Sequence, residues 1–237
     1  MIKKTSLFAA LLFALATMGL ARAGAAPAAA PEKDAFVTVF GQKIHYVEQG
    51  QGPVVILLHG LGDDVSIWQD TIKALSTKYR VIAYDSLGQG KSDKPLIAYR
   101  VGTYVDFLDG FMQALHIDHA AIMGNSLGGW VAIDFAAAYP QKVDRLVLID
   151  AAGYKSWPTP EIGNALHLST RADLKKLIPL TFTDKSLMSD TSIDQMYADT
   201  IASGDGFTLL QLMDSAARGE DAIDDVVKNI TAPTLVV

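Results

Sequence analysis

A serine nucleophile is indicated by the run Gly124-Asn125-Ser126-Leu127-Gly128, which fits the pattern Gly-x-Ser-x-Gly. The short apolar run Ala120-Ala121-Ile122-Met123 before it is typical of a strand, and residues 127–139, rich in alanine, are typical of a helix. A serine at so sharp a turn from strand to helix points its hydroxyl out of the sheet, and small neighbours let the strained backbone pass close to other segments. The pattern therefore predicts Ser126 as a covalent nucleophile.

A second segment could stabilise negative charge during attack on a carbonyl group. His59-Gly60-Leu61-Gly62 follows the apolar run Val54–Leu58. Preorganised N–H groups in a dry site contribute about 3 kcal/mol each to stabilising an oxyanion. We predict that the backbone amides of Leu61 and Leu127 form this oxyanion hole, and we interpret His59 as a turn residue rather than a base. The alternative for this segment is a glycine turn without a catalytic role.

The elements that must position these residues are predicted to alternate along the chain. Residues 36–40 and 43–48 form a hairpin around Gly41-Gln42, a pair suited to a two-residue turn. After it, apolar strands alternate with amphipathic helices, which predicts an α/β fold with a mostly parallel sheet covered by helices on both faces. Functional residues in such sheets gather at the carboxyl ends of the strands. The predicted strands are 54–58, 80–84, 120–123 and 146–149, and the predicted helices are 66–78, 103–115 and 127–139.

Residues 154–228 do not follow the alternation of strands and helices and are predicted to form a helical lid. Helical patterns occur in it at 171–178, 192–202 and 207–217. Its apolar side chains are candidates for lining an acyl pocket, although we expect most of them to be the core of the lid itself. His167 also lies here and is expected on the lid surface. The candidate lining residues are Trp157, Leu166, Leu168, Phe182, Met188, Met196, Tyr197, Leu209 and Met213.

Taken in order, these motifs resemble the α/β-hydrolase fold family. The run Asp85-Ser86-Leu87-Gly88-Gln89-Gly90-Lys91-Ser92 is similar to the family's Asp-x-x-Gly-x-Gly-x-Ser loop, in which Asp85 is expected to hold the loop through local hydrogen bonds. The resemblance covers residues 36–237. It implies a core at 36–153, the lid at 154–228, and the start of a further core strand at 229–237.

Within this family, serine at the centre of the elbow argues against the dehalogenases and epoxide hydrolases, whose nucleophile is a carboxylate. Hydrolysis of esters, thioesters and amides through an acyl-enzyme stays open. So does hydrolysis of a carbon–carbon bond, because the segment around Asn125 also resembles enzymes that cleave ring-fission products. The expected partner is therefore a small-molecule acyl substrate, and no metal or organic cofactor site is indicated.

The resemblance also implies a base that the sequence does not supply. In this family the triad runs serine, then acid, then histidine along the chain, with the histidine after the last strand. Asp150, at the end of the strand 146–149, is the candidate acid, and its alternative is a residue that caps the following turn. The resemblance assigns no base to any histidine present: His45, His59, His116, His119 and His167.

We therefore expect a fragment that lacks the final strand and closing helix. Such a chain would be nearly inactive, with an open sheet edge that favours aggregation. The competing hypothesis is a non-catalytic protein that keeps a ligand pocket.

The amino terminus predicts export. Lys3-Lys4 precede an apolar stretch at 7–20, and Ala21-Arg22-Ala23 fits a small-x-small cleavage site. We predict a signal peptide at 1–23, a flexible segment at 24–35, and a periplasmic or secreted protein with no stable membrane span after cleavage. The alternative is an amphipathic or membrane-anchoring helix.

The composition narrows the class of partner and the source of stability. The net charge of -6 offers no basic stripe for nucleic acid. The absence of cysteine excludes disulfides, so stability must come from the packed core.

Overall fold

A seven-stranded sheet organises the protein, whose computed structural model describes residues 32–156, 170–181 and 183–237. The strand order is β1-β2-β4-β3-β5-β6-β7. Strand β2 runs antiparallel to both of its neighbours, β1 and β4, and strands β3 to β7 are parallel to one another. The strands are β1 Lys33–Val39, β2 Gln42–Gln49, β3 Val54–Leu58, β4 Arg80–Tyr84, β5 Ala120–Asn125, β6 Val143–Ile149 and β7 Thr234–Val236. The described helices are α1 Gln69–Leu75, α2 Val101–Ala114, α3 Leu127–Ala138, α4 Arg171–Thr181, α5 Asp190–Ser203 and α6 Gly206–Ala217. This arrangement confirms the predicted α/β fold class.

The hairpin differs by one residue from the prediction. The turn consists of Phe40 and Gly41, whose φ angles are 48° and 81°, and Val39 pairs with Gln42. Two consecutive residues with positive φ are the signature of a type I′ turn, which fits the twist of the flanking strands. The predicted turn at Gly41-Gln42 is therefore wrong, since that choice would place the left-handed residues one position too late. Strand β1 also begins at Lys33, within the segment predicted to be flexible.

The predicted helix at 66–78 is divided into two pieces. A 3-10 turn at Val65–Trp68 comes first, and its start is capped by the Asp64 carboxylate, which accepts a hydrogen bond of 2.7 Å from the Ser66 amide. Helix α1 follows and ends at Leu75, three residues before the predicted end. The carboxylate at Asp64 satisfies a helix-start amide that has no partner within the turn.

Both faces of the sheet are covered, so its apolar strands are buried on both sides. On one face the rings of Tyr46 and Tyr84 pack against Phe111 of α2, with centroids 5.7 Å and 4.6 Å away. On the other face Trp68 and Ile72 form a separate buried cluster with the strands. Burial of each large apolar side chain contributes about 1.5–3 kcal/mol, so the core rather than any single contact fixes the sheet.

The three helical patterns predicted for the lid form helices α4, α5 and α6. Helix α6 packs directly on the core, because Leu212 belongs to the main buried cluster and the Phe207 ring meets the Tyr99 ring edge-on at 6.4 Å. Several predicted features lie outside the described residues: the signal peptide, His167, and the candidate lining residues Trp157, Leu166, Leu168 and Phe182. No helix in the described ranges has the length and hydropathy that a membrane span requires.

Candidate active site

The turn between β5 and α3 holds Ser126 in a strained conformation. Its φ of 51° and ψ of -114° lie outside the regions that L-residues ordinarily adopt. The Ser126 amide donates to the Ile149 carbonyl at 3.0 Å, and its carbonyl accepts from the Ala152 amide at 3.1 Å. These bonds tie the turn to β6 and to the residues after it. Such strain costs about 1–3 kcal/mol and persists because the surrounding structure over-determines it.

Close backbone contacts explain the glycines around the serine. A Cβ atom on Gly124 would overlap the Gly128 carbonyl oxygen, and one on Gly128 would overlap the Leu58 carbonyl oxygen. A Cβ on Gly129 would lie 2.6 Å from the Ala151 Cβ. The structure thus confirms that helix α3 can approach the sheet this closely only with glycine at these positions.

Leu61, Ser126 and Leu127 line one small pocket. Leu127 is the first residue of α3. The first amides of a helix have no hydrogen-bond partner within the helix, and they lie at the positive end of the helix dipole. Among the hydrogen bonds found for the described residues, none uses the Leu61 amide. The structure brings the predicted oxyanion-hole residues together at the nucleophile, and their role in catalysis stays a prediction.

Gln89 is a site residue that the sequence analysis missed. Its side chain is fully buried, and its Oε1 accepts a hydrogen bond of 2.7 Å from the Gly62 amide, directly after Leu61. Its Nε2 lies 3.3 Å from the hydroxyl of Tyr104, which is also buried. Gln89 therefore holds the loop that carries the Leu61 amide. The sequence does show a long polar side chain between two glycines at Gly88-Gln89-Gly90. Its contact with Gly62 becomes visible only in the folded structure.

Asp85 is a structural residue, as predicted. Its fully buried carboxylate accepts hydrogen bonds from the amides of Val65 and Lys91, each at 2.8 Å, and faces His45 Nδ1 at 2.7 Å. The other ring nitrogen of His45 faces Asp34 Oδ1 at 2.9 Å. Ionised carboxylates only accept hydrogen bonds, so the His45 ring lies where each nitrogen faces an acceptor. Its hydrogen bond, followed by that from Lys91, lowers the pKa of Asp34.

His59 is buried, and both of its ring nitrogens contact backbone groups. Its Nε2 accepts a hydrogen bond of 2.9 Å from the Ser86 amide, and its Nδ1 lies 2.7 Å from the Gly60 carbonyl oxygen. These partners require the neutral tautomer with the proton on Nδ1. Its lone pair is thus engaged in holding the loop, which agrees with the predicted structural role.

The other described histidines lie far from the nucleophile. His116 and His119 precede β5, at the opposite end of a six-residue strand that spans about 20 Å. His119 Nδ1 contacts the Asp144 carboxylate at 2.7 Å, and this hydrogen bond raises the pKa of His119. Within the described ranges, no histidine lines the Ser126 pocket.

Asp150, the candidate acid, lies at the carboxyl end of β6. It is exposed, adopts a left-handed conformation with φ 45°, and its amide donates to the Val237 carbonyl at 3.2 Å. No side-chain hydrogen bond of Asp150 occurs among those found for the described residues. The structure thus places it near the elbow strand without pairing it to a base, and its catalytic role stays a prediction.

The pocket beside Ser126 is narrow and largely apolar. Its free volume is about 20 Å³, close to the minimum that holds one water molecule. The Trp130 indole forms one wall and is fixed by a 2.7 Å hydrogen bond from its Nε1 to the Asp221 carbonyl. Of the predicted lid residues, Met213 lines the pocket. The remaining lining residues are Val101, Ala152, Leu212, Ser215 and Ala216. In the described part of the chain, no three histidine or acidic side chains converge as a metal site would require.

Comparison with known proteins identifies the family. The sequence profile of the alpha/beta hydrolase fold matches residues 53–181, more than half of the chain. The chain is 32% identical over 185 residues to a 2-hydroxymuconate semialdehyde hydrolase of Pseudomonas sp. strain CF600, an alignment that covers 76% of this chain and 65% of that protein. Mycobacterial proteins of uncharacterised function are 41% identical over 124 residues, and the alignment spans 36% of their length and 52% of this chain.

Two solved structures share the fold. A bacterial membrane phospholipase A superposes with a TM-score of 0.75 at 28% identity, covering 86% of this chain and 69% of that one. The meta-cleavage product hydrolase of Pseudomonas fluorescens IP01 superposes with a TM-score of 0.74 at 32% identity, covering 85% of this chain and 78% of that one. The chain therefore belongs to the α/β-hydrolase fold family.

Proposed function

We propose that the protein is a serine hydrolase that acts on a carboxylic ester or a related acyl compound through an acyl-enzyme. The observation that carries the proposal is the convergence of Ser126 with Leu61 and Leu127 in one pocket. In the first step the Ser126 Oγ bonds to the carbonyl carbon, the hydroxyl proton leaves to a base, and the amides of Leu61 and Leu127 donate to the developing oxyanion. The alcohol then departs, and water hydrolyses the acyl-serine bond.

The rate at which Ser126 is acylated depends on a base that accepts its hydroxyl proton. A general base contributes about a hundredfold to ten-thousandfold, and the described histidines are committed elsewhere or lie at the far end of β5. His167 lies outside the described residues. We infer that the chain by itself hydrolyses esters at a rate close to background, and that Ser126, assisted only by the candidate oxyanion-hole amides, reacts slowly with a fluorophosphonate supplied in large excess.

A fluorophosphonate probe tests the nucleophile without requiring turnover. Incubated in excess with the folded chain, it is expected to add once, on the peptide that contains Ser126, as read by intact mass and peptide mapping. Ser126→Ala removes the adduct, and Ser66→Ala, which changes an exposed serine outside the pocket, keeps it. A folded chain that never labels at Ser126 would contradict the proposal. Loss of labelling in His167→Ala would assign the base to that histidine.

A second candidate function is hydrolysis of a carbon–carbon bond. It is favoured by the two relatives named for 2-hydroxymuconate semialdehyde and for meta-cleavage products, both at 32% identity. The two activities separate in a direct comparison of 2-hydroxymuconate semialdehyde with a p-nitrophenyl ester. Faster loss of the first chromophore would favour carbon–carbon cleavage, and faster release of nitrophenol would favour the esterase.

A non-catalytic binding role is the third possibility, supported by the apolar pocket and by the absence of a described histidine beside Ser126. Small esters or alcohols would then raise the melting temperature of the chain without being turned over. A ligand that stabilises the chain while Ser126 resists the fluorophosphonate would favour this role over both enzymes.

A further inference from the structure

The carboxylate of Asp63 lies beside the nucleophile. Asp63 Oδ2 is 2.8 Å from the position that a Cβ on Gly60 would occupy, and Asn125 Oδ1 and Ser126 Cβ are 3.2 Å and 3.5 Å from the same point. Three side chains from two loops therefore surround the α-carbon of Gly60. Leu61, the next residue, carries one of the candidate oxyanion amides. An acidic group thus lies close to Ser126, just outside the residues that line the pocket.

Among the described residues, no lysine or arginine forms an ion pair with this carboxylate. His59, the closest ring, is fixed as the neutral tautomer by its bonds to the Ser86 amide and the Gly60 carbonyl. Asp63 takes part in none of the ion pairs found among the described residues, and the described lining of the Ser126 pocket includes no lysine or arginine. Burial is the largest influence and raises the pKa of Asp63, while a hydrogen bond from the Gly60 backbone opposes that rise.

The adjacent acid has a different role. Asp64 turns its carboxylate to the Ser66 amide and caps the 3-10 turn. Asp63 is the member of this acidic pair that faces the serine. Its carboxylate accepts a hydrogen bond from the Gly60 amide, which holds it against the loop that carries Leu61.

We propose that Asp63 determines the charge preference of the Ser126 site, which selects acyl substrates that are neutral or cationic near the reacting carbonyl over substrates that are anionic there. This inference rests on the proposed serine hydrolase function. An ionised carboxylate in a partly buried site repels a negative substituent of the substrate more strongly than it would in water, because less solvent screens the two charges. The oxyanion itself is common to all substrates and does not discriminate between them.

Three fluorophosphonates with the same reactive group and linker provide the test. One ends in a methyl ether, one in trimethylammonium and one in a carboxylate, and the second-order rate of Ser126 modification is measured for each on the 237-residue chain. The anionic probe is expected to react about tenfold more slowly than the neutral one. Asp63→Asn should reduce this ratio to about twofold, and Asp63→Ser gives the same readout if the asparagine variant does not fold.

Asp70→Asn is the matched control, because it removes one negative charge from an exposed position on α1 and should leave the ratio unchanged. Equal rates for the neutral and anionic probes in the wild-type chain would overturn the inference, as would a ratio that both Asp63 variants preserve. Failure of all three probes to modify Ser126 is a different result, since it rejects the proposed function itself.

Discussion

At the scale of single residues, the most unusual side chain outside the pocket is Asp134 on α3. Its Oδ1 is buried, and the described residues provide no hydrogen-bond partner for it. Burial, with a smaller contribution from the negative charge of Asp221, raises its pKa to about 7. Asp221 is itself held by the Gly102 amide at 3.0 Å, with the Arg100 guanidinium 3.9 Å away. The helix that begins at the nucleophile thus carries a carboxyl group that is neutral in acid and charged in base.

We predict that Asp134→Asn stabilises the protein above neutral pH. The unfolded chain releases this proton near pH 4 and the folded chain near pH 7, so wild-type stability falls between these values and the penalty is constant above pH 7. After allowance for partial exposure, the gain in the free energy of unfolding at pH 8 should be about 1–2 kcal/mol, and close to zero at pH 3.5. Urea denaturation at both pH values measures it. A gain of equal size at both would show that the charge of Asp134 is not the cause.

At the scale of elements, the packing of α3 on the sheet determines where Ser126 can lie. The helix starts directly at the serine, and its first turn rests against the carbonyl groups at the end of β3. The same carboxyl end of β3 leads into the loop that carries Leu61. Gln89 links that loop to the Asp85–Ser92 segment through Gly62. The positions of Ser126 and of the Leu61 loop are therefore a product of contacts between core elements, while α6 supplies further walls of the pocket.

We predict that Gly128→Ala destabilises the protein by about 1–3 kcal/mol, since the added methyl group overlaps backbone atoms that cannot rotate away. It should also slow labelling of Ser126, because α3 must shift at its first turn. Gly206→Ala is the control at the start of α6, where a Cβ meets nothing within 4 Å and the effect on stability should be neutral or slightly favourable. Equal unfolding midpoints for the two variants would refute this account of the elbow.

At the scale of the whole molecule, the sheet has an exposed edge at β7. This strand pairs with β6 on one side, and the side chains of Leu235 and Val236 are 58% and 72% exposed. Edge strands with apolar side chains act as templates for pairing with other chains. These exposed apolar side chains make the β7 edge a site where we expect the 237 residues, taken by themselves, to associate.

We predict that Val236→Lys lowers aggregation of the chain, because a charge on an edge strand opposes pairing between molecules. Light scattering during slow heating should show a later onset than in the wild type. Leu96→Lys is the matched control, as Leu96 is 82% exposed but lies in a loop rather than on a strand. If both variants delay aggregation equally, added charge rather than the edge is responsible.

The sequence by itself determined the fold class, the place of the candidate nucleophile at the strand–helix turn, and the succession of strands and helices. Apolar runs of strand length and a Gly-x-Ser-x-Gly turn are local signals, and local signals can be read from neighbouring residues alone. The observed hairpin turn lies one residue before the predicted one. Its register depends on a positive φ at Phe40, which residue preferences do not indicate. The division of the predicted helix at 66–78 into a 3-10 turn and α1 was likewise not indicated by residue preferences.

Only the tertiary structure decided how side chains distant in sequence meet. The contact of Gln89 with Gly62, the contact of His45 with Asp85, and the approach of Asp63 to Ser126 each join segments that are distant in sequence or lie in different elements. Their physical cause is the parallel sheet, which brings the carboxyl ends of β3, β4 and β5 to one edge. The sequence alone indicates Ser126, whereas the arrangement of the sheet determines which charged groups and amides lie around it.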